Sequence, residues 1–498
     1  MFELLDLKVN EEKRKEVAKY AKERGIKIPT LAQMKDPSKI PADVKEKLKN
    51  VGLWDVNPLN LYRISWKNEP KTTGGLYQDL PNYVEIPSVV SGVKSKILFM
   101  SGKYFPTGCH KVGASFACLV PRLVTGQFDP KTQEAVWPST GNYCRGGAFN
   151  AALLGCKSIA ILPESMSRER FDWLEELIKT YGGEIFATTG SESNVKEIYD
   201  KTWELRAERG NGVVIFNQFA ELGNHLWHYE VTGSAMNDLF MSYKAKNDKA
   251  NFFGVNLNSG SGGSLGAGDK IKDLHPKAKI TVSEALQCPT LLDNGFGDHR
   301  IEGIGDKHIP WVHNVKNSNV VTAIDDEDAV SFFRILNDPL GHEYFRSLGV
   351  DEDTIEKFKY IGISGAANII SCIKTARYFE TTENDIFITV GTDSAEMYQS
   401  RLEEYTAERG ALDAKQVEID HNVHVLGLKT DNMLELTYTD KKRIHNLKYY
   451  TWVEQQGKTA EELNAQWYDY DNYWTKLHTM GPEFDRVINE FNDLIDQM

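Results

Sequence analysis

From Val93 to about residue 400 the chain repeats one texture. A short apolar run is followed by a turn bearing Gly, Ser or Asn, and then by a longer stretch with apolar residues three or four apart. The runs 157–164, 183–190, 212–219, 251–258, 278–285 and 385–392 are expected strands, while Arg168–Tyr181 and Asn194–Arg209 are expected amphipathic helices. Strands alternating with helices of that length build parallel βαβ units, with helices covering both faces of the sheet. The pattern therefore predicts an α/β protein with an open, doubly wound core over about residues 90–400.

The two ends read differently. Asn10–Glu23 has helical spacing, and Pro29, Pro37 and Pro41 break up the segment after it. From Arg401 the chain turns acidic, with about 19 acidic against 11 basic residues. It carries the aromatic run WYDYDNYW (467–474) and ends in an expected helix from Pro482 to Met498. Those aromatics are expected to pack against the core or a second subunit rather than to form a ligand platform. The chain thus divides into an N-terminal extension (1–88), a core (89–400) and a C-terminal extension (401–498).

Length and composition change the picture only by exclusion. With 498 residues, 41% of them hydrophobic, the chain can bury a core of several folding units. A net charge of −13 disfavours a broad basic surface for gripping nucleic acid or an anionic membrane. The six cysteines are scattered with no Cys-x-x-Cys pair, and the amino terminus lacks the pattern of a secretory signal. No stretch approaches the ~20 apolar residues that cross a bilayer. A soluble, cytoplasmic protein is expected, with no nucleic-acid or membrane partner. No cluster of His, Asp or Glu has metal-ligand spacing along the sequence, so no metal site is expected either.

Three segments carry candidate chemistry. SGSGGSLGAG (259–268) directly follows an expected strand, so its backbone N–H groups can close around a phosphate, with Ser261 and Ser264 adding hydroxyls. It lacks the Gly-Lys-Ser/Thr ending of a nucleoside triphosphate loop. A dinucleotide reading stays open, because GSGGSLG approximates that fingerprint and Glu284 ends a strand where a ribose-binding acid would sit. That reading predicts an NAD-dependent dehydrogenase. FPTGCHKVGAS (105–115) places Lys111 between a Pro-Thr-Gly turn and an apolar stretch, and partial burial of such a lysine frees its lone pair for a Schiff base. WPSTGNYCRGG (137–147) is a second glycine-rich turn, bearing Ser139, Thr140 and Asn142.

Lysine turn, Ser-Thr-Gly-Asn turn and Gly-Ser-Gly-Gly-Ser cup, in this order, resemble the fold-type II pyridoxal phosphate enzymes of the tryptophan synthase β superfamily. NQFAELGNHLWHYEVTGSAM (217–236), HRIEGIGDKHIP (299–310) and GTDSAEMY (391–398) are similar to segments of its cysteine synthase and cystathionine β-synthase branch. The resemblance covers about residues 90–400 and leaves both extensions unexplained. It implies two α/β subdomains, a homodimer, pyridoxal 5'-phosphate as cofactor and a small amino acid as substrate. Lys111 would hold the cofactor as an internal aldimine and then remove the substrate Cα proton. Gly260, Ser261, Gly262, Gly263 and Ser264 would cup the phosphate, and Asn142 would bond the ring hydroxyl. Ser139, Thr140 and Gln218 would hold the substrate carboxylate. Thr392 is the choice for the pyridine nitrogen, with Asp393 and Ser394 the alternatives.

The implied reaction is α,β-elimination or β-replacement on cysteine or a serine derivative, through an aminoacrylate. A threonine synthase or dehydratase type of reaction is the alternative within the same chemistry. The chain departs from the family after Asn142, where Tyr143, Cys144 and Arg145 replace a smaller run. Arg145 is read as a surface charge, the other reading being a partner for a second substrate anion. His110 is open between a phosphate contact and a helix-end histidine. Cys109, Cys144, His225 and His228 are read as packing residues, and His299 as part of a loop at the active-site rim.

Overall fold

The computed structural model describes residues 2–498 except Thr140 and Glu192. Eleven strands among the described residues form two sheets. They are β1 (Tyr83–Ile86), β2 (Lys96–Ser101), β3 (Glu134–Pro138), β4 (Ser158–Pro163), β5 (Gly183–Thr188), β6 (Val213–Ile215), β7 (Asn251–Asn258), β8 (Lys279–Ala285), β9 (Val320–Ile324), β10 (Asp385–Gly391) and β11 (Met433–Glu435). The smaller sheet runs β5-β4-β3-β6 and is parallel throughout. The larger runs β1-β2-β10-β7-β8-β9-β11; its five inner strands are parallel and its two edges antiparallel. Inner strands such as β4, β8 and β10 are buried along almost their whole length, as parallel strands covered on both faces must be.

Arg168–Tyr181 is a helix over its expected span, and Val195–Arg209 follows Asn194. The run 212–219 yields only the three-residue β6, because the chain leaves the sheet after Ile215 and carries Gln218 into the cleft described below.

Both chain ends join the sheets and their core. β1 and β11 pair along the two edges of the large sheet. Helix Glu11–Glu23, capped by the Asn10 side chain accepting from the Lys13 N–H (3.2 Å), buries Val17, Ala18 and Ala21. It lies against helix Gly481–Gln497, whose Phe484, Val487, Ile488 and Phe491 share one apolar core with β2, β7 and β8. Full burial of each such side chain contributes roughly 1.5–3 kcal/mol. In the aromatic run, Trp467, Tyr473 and Trp474 are buried and Tyr468 points to solvent, so the cluster packs as expected.

Candidate active site

Lys111 opens helix Lys111–Val124, directly after the Pro-Thr-Gly turn. Thr107 in that turn holds a left-handed backbone (φ 69°), a conformation a β-branched residue keeps only when its surroundings enforce it. The Gly108 N–H closes the turn on the Phe105 carbonyl (2.9 Å), and two contacts fix the segment that follows. The His110 N–H donates to the Thr392 carbonyl at the end of β10 (3.2 Å). Helix Asn142–Leu154 crosses so closely that a Cβ on Gly146 would sit 2.7 Å from the Val112 nitrogen. The lysine is therefore set on two rigid elements.

The lysine Nζ donates to the Ser261 hydroxyl (2.8 Å) and to Gln218 Oε1 (2.9 Å). Ser261 belongs to the glycine turn between β7 and helix Leu265–Leu274, so the phosphate-type turn is also a helix amino terminus. The Gln218 amide donates in turn to Ser139 Oγ (3.0 Å). One connected chain of bonds thus runs from the glycine turn through Lys111 to the serine turn. Asn224 braces it from behind, donating to the Gln218 carbonyl (2.9 Å) and to Ser261 Oγ (3.2 Å).

Lys111, Ser139, Asn142, Gln218, Gly260, Ser261 and Thr392 line a single cleft, and His110, Gly262 and Ser264 line its adjoining end. Gly263 backs the turn against Asn224, where any Cβ would lie 2.1 Å from Asn224 Oδ1. Thr140 lies outside the described residues. His110 is buried at the cup end, where desolvation pushes it down to about 3 and leaves it neutral.

Asn142 donates to Asp393 Oδ2 (2.7 Å), which also accepts from the Tyr398 hydroxyl (2.7 Å) and faces the Arg170 guanidinium (3.4 Å). Burial pushes the Asp393 carboxyl up from the usual range, and Arg170, Asn142 and Tyr398 oppose this. Of the three residues considered for a ring nitrogen, Thr392 alone lines the cleft, while Asp393 is engaged by these donors and Ser394 is buried beside it.

Two readings from the sequence are corrected. Arg145 is no surface charge: it is 1% exposed, with its guanidinium 4.8 Å from the Trp173 ring centre and 5.7 Å from that of Trp54. Two indole faces offset part of the cost of burying that cation. Nor is Glu284 available for a ribose. Its two oxygens accept the Leu291 and Leu292 N–H groups (2.8 Å each) at the start of the short helix Thr290–Asp293, which removes the support for a dinucleotide site. The packing readings of Cys109 and Cys144 agree with burial, which pushes both thiols up to about 12. His299 holds its own loop, its Nε2 3.0 Å from the Gly305 carbonyl.

Sequence reasoning missed Arg170 and Asp306, both of which line the cleft with Lys111. Asp306 sits within the GIGDK stretch of the 299–310 segment, so its motif was visible though its direction was not. Arg170 belongs to an ordinary amphipathic helix and had no signal. Its guanidinium pairs with Glu302 and bonds Tyr398 (2.9 Å), joining that helix to the loop after β8 and the turn after β10.

The geometry agrees with comparison to known proteins. The family model for pyridoxal-phosphate dependent enzymes matches residues 82–341. Cysteine synthase of Staphylococcus aureus (strain Mu50) is 29% identical over 296 residues, 59% of this chain and 84% of that protein. Cystathionine beta-synthase of Saccharomyces cerevisiae is 24% identical over 319 residues, 62% of this chain and 58% of that protein. A hydrogen sulfide-producing enzyme of Fusobacterium nucleatum shares the fold, with TM-score 0.53, 23% identity and coverage of 71% of this chain and 95% of its own. The site also fits the group this family carries: a phosphate-sized turn too tight for side chains at its back, a lysine amine beside it, and a buried Asn142 Oδ1 with no hydrogen-bond partner.

Proposed function

The chain belongs to the pyridoxal-phosphate dependent enzymes, and from that premise we propose that it performs α,β-elimination or β-replacement on cysteine or a serine derivative. One observation carries this reading: the Lys111 amine bridges the glycine turn and the Gln218–Ser139 pair, so cofactor and substrate sites meet at one nitrogen.

Lys111 would hold the cofactor, with Gly260, Ser261, Gly262, Gly263 and Ser264 around its phosphate, Asn142 Oδ1 at its ring hydroxyl and Thr392 at its ring nitrogen. When bound there, pyridoxal phosphate supplies an electron sink for the pair released at the amino-acid Cα. The Ser139 hydroxyl and the Gln218 amide orient the substrate carboxylate as neutral donors. Lys111 Nζ takes the Cα proton, and its bonds to Ser261 and Gln218 fix where that amine points. Loss of a β-substituent as thiol or carboxylate completes an elimination, and addition of a nucleophile completes a replacement. Asp306, a carboxylate in the cleft wall, is the residue we assign to proton handling at the β-position.

The setting we propose is a homodimer in a reducing cytoplasm. All six cysteines are unpaired and buried, and among the described residues no helix is long and apolar enough to cross a membrane. Light scattering of the purified protein tests the dimer.

The function is tested by adding cysteine, serine, O-acetylserine and threonine separately to the purified, cofactor-loaded protein and following absorbance, sulfide and keto-acid release. Turnover of cysteine or O-acetylserine supports the proposal. Turnover of threonine alone would move the assignment to a dehydratase type, and no response to any would overturn it.

A further inference from the structure

Behind the glycine turn, on the helices that flank it, the fold gathers three side chains of ligand type that are widely separated in sequence. His225 lies in helix Leu222–Trp227, Asp269 in helix Leu265–Leu274, and His478 in the C-terminal extension just after a widened turn at 471–475. His225 Nε2 and His478 Nε2 are 3.1 Å apart, and Asp269 Oδ2 is 3.5 Å and 3.4 Å from them. All three residues are buried. A metal bound at about 2.0–2.1 Å to three corners of a tetrahedron holds its ligand atoms roughly 3.3 Å from one another. The observed triangle has those edges.

The His225 tautomer agrees with such a site. His225 Nδ1 lies 3.0 Å from the Val312 carbonyl, which accepts a proton only, so the ring carries its hydrogen there and turns a lone pair inward at Nε2. His478 Nδ1 faces the Asp273 carboxylate at 3.7 Å, and Tyr229 stacks on the His478 ring (4.1 Å between centres, 10°) while donating to Asp273 (2.8 Å). Asn314 donates to Asp269 Oδ2 (2.7 Å). These are the supports that orient metal ligands from outside: a carbonyl and a carboxylate behind the two imidazoles, and a donor on the ligating carboxylate. The His225 lone pair, His478 Nε2 and an anionic Asp269 oxygen thus face one point, an arrangement suited to a positive charge there.

We propose that His225, Asp269 and His478 bind one divalent transition-metal ion of the zinc class, with a fourth position for water. Two nitrogens and one oxygen favour such an ion over calcium or magnesium, which take oxygen shells. The consequence is structural. The ion fastens the C-terminal extension to the helix whose amino terminus forms the glycine turn, so it stiffens the cofactor site without touching it.

The test uses the full-length, cofactor-loaded protein, stripped with a chelator and titrated with Zn2+ by calorimetry. One Zn2+ per chain is expected, with affinity at least roughly 100-fold lower in His478→Ala, more than the 10–100-fold lost when only an outer support is removed. X-ray absorption at the zinc edge of the wild type should report two imidazoles and a low-coordinate nitrogen/oxygen shell. Equal binding by wild type and His478→Ala, or no binding by the wild type, would overturn the site and leave a proton shared between the histidines. Should His478→Ala fail to fold, the wild-type absorption spectrum still decides, because a shell lacking imidazole contradicts the proposal.

Discussion

Replacing Gly263 by alanine isolates how the glycine turn is built. The new Cβ would fall 2.1 Å from Asn224 Oδ1 and 2.5 Å from its Cγ and Nδ2, so the amide must move. That amide holds the Gln218 carbonyl and the Ser261 hydroxyl, one on each side of Lys111. Overpacking costs about 1–3 kcal/mol and each lost hydrogen bond about 1 kcal/mol. A penalty of about 2 kcal/mol or more appearing in cofactor binding corresponds to roughly 30-fold weaker affinity. Titration of the cofactor-free variant with pyridoxal phosphate, followed by absorbance, measures it. Gly212→Ala, with open space around its Cβ, is the neutral control. In an Asn224→Ala background, which is itself weaker, Gly263→Ala should add less than about 0.5 kcal/mol, because the clash has lost its partner. Wild-type affinity in Gly263→Ala, or the same penalty with and without Asn224, would refute the reasoning.

Three further outcomes concern groups around the cleft and its sheets. Arg170→Met should destabilise the protein by about 3–5 kcal/mol in urea unfolding, because Glu302 and Asp393 lose the cation between them; an unchanged midpoint would deny that pairing. Arg145→Met should change kcat/KM equally for substrates with and without a second anion, since its guanidinium lies between Trp54 and Trp173; a selective loss for dianionic substrates would place it in the cleft after all. Burial pushes the Glu284 carboxyl up from 4.5 to about 8, so the folded state holds that proton more tightly than the unfolded chain. Stability from this group is therefore full below about pH 4.5, falls by up to roughly 1.4 kcal/mol per pH unit as pH rises towards 8, and is flat above. Unfolding midpoints at pH 5 and 8 should differ less in Glu284→Gln than in the wild type, and an equal difference would sink the assignment.

The parts of the molecule that were legible in the sequence are those whose signal is local. Helix Arg168–Tyr181 and strands β4, β5, β7, β8 and β10 follow from periodicity, and the glycine turn and Lys111 from composition at a strand–helix junction. Five strands were not legible: β1 and β11 are three or four residues at a sheet edge with no room for a pattern, and β2, β3 and β9 are short buried runs that periodicity alone does not separate from helix segments. Arg145 was misread because its charge alone argues for solvent, while the indoles that shelter it come from residues 54 and 173. Glu284 had a suitable position for a ribose acid, but the helix start it caps lies in the next loop. His225, Asp269 and His478 lie on three separate elements, so only the folded chain brings their nitrogens and oxygen together.

The central claim is that Lys111 is the residue that carries the cofactor. Borohydride reduction of the cofactor-loaded protein, followed by peptide mapping by mass spectrometry, tests it directly. The account predicts one pyridoxyl group per chain, on Lys111, and a folded Lys111→Ala variant with neither the label nor the near-visible absorbance. A label on another lysine, or none on a protein that binds pyridoxal phosphate and turns over its substrate, would contradict it.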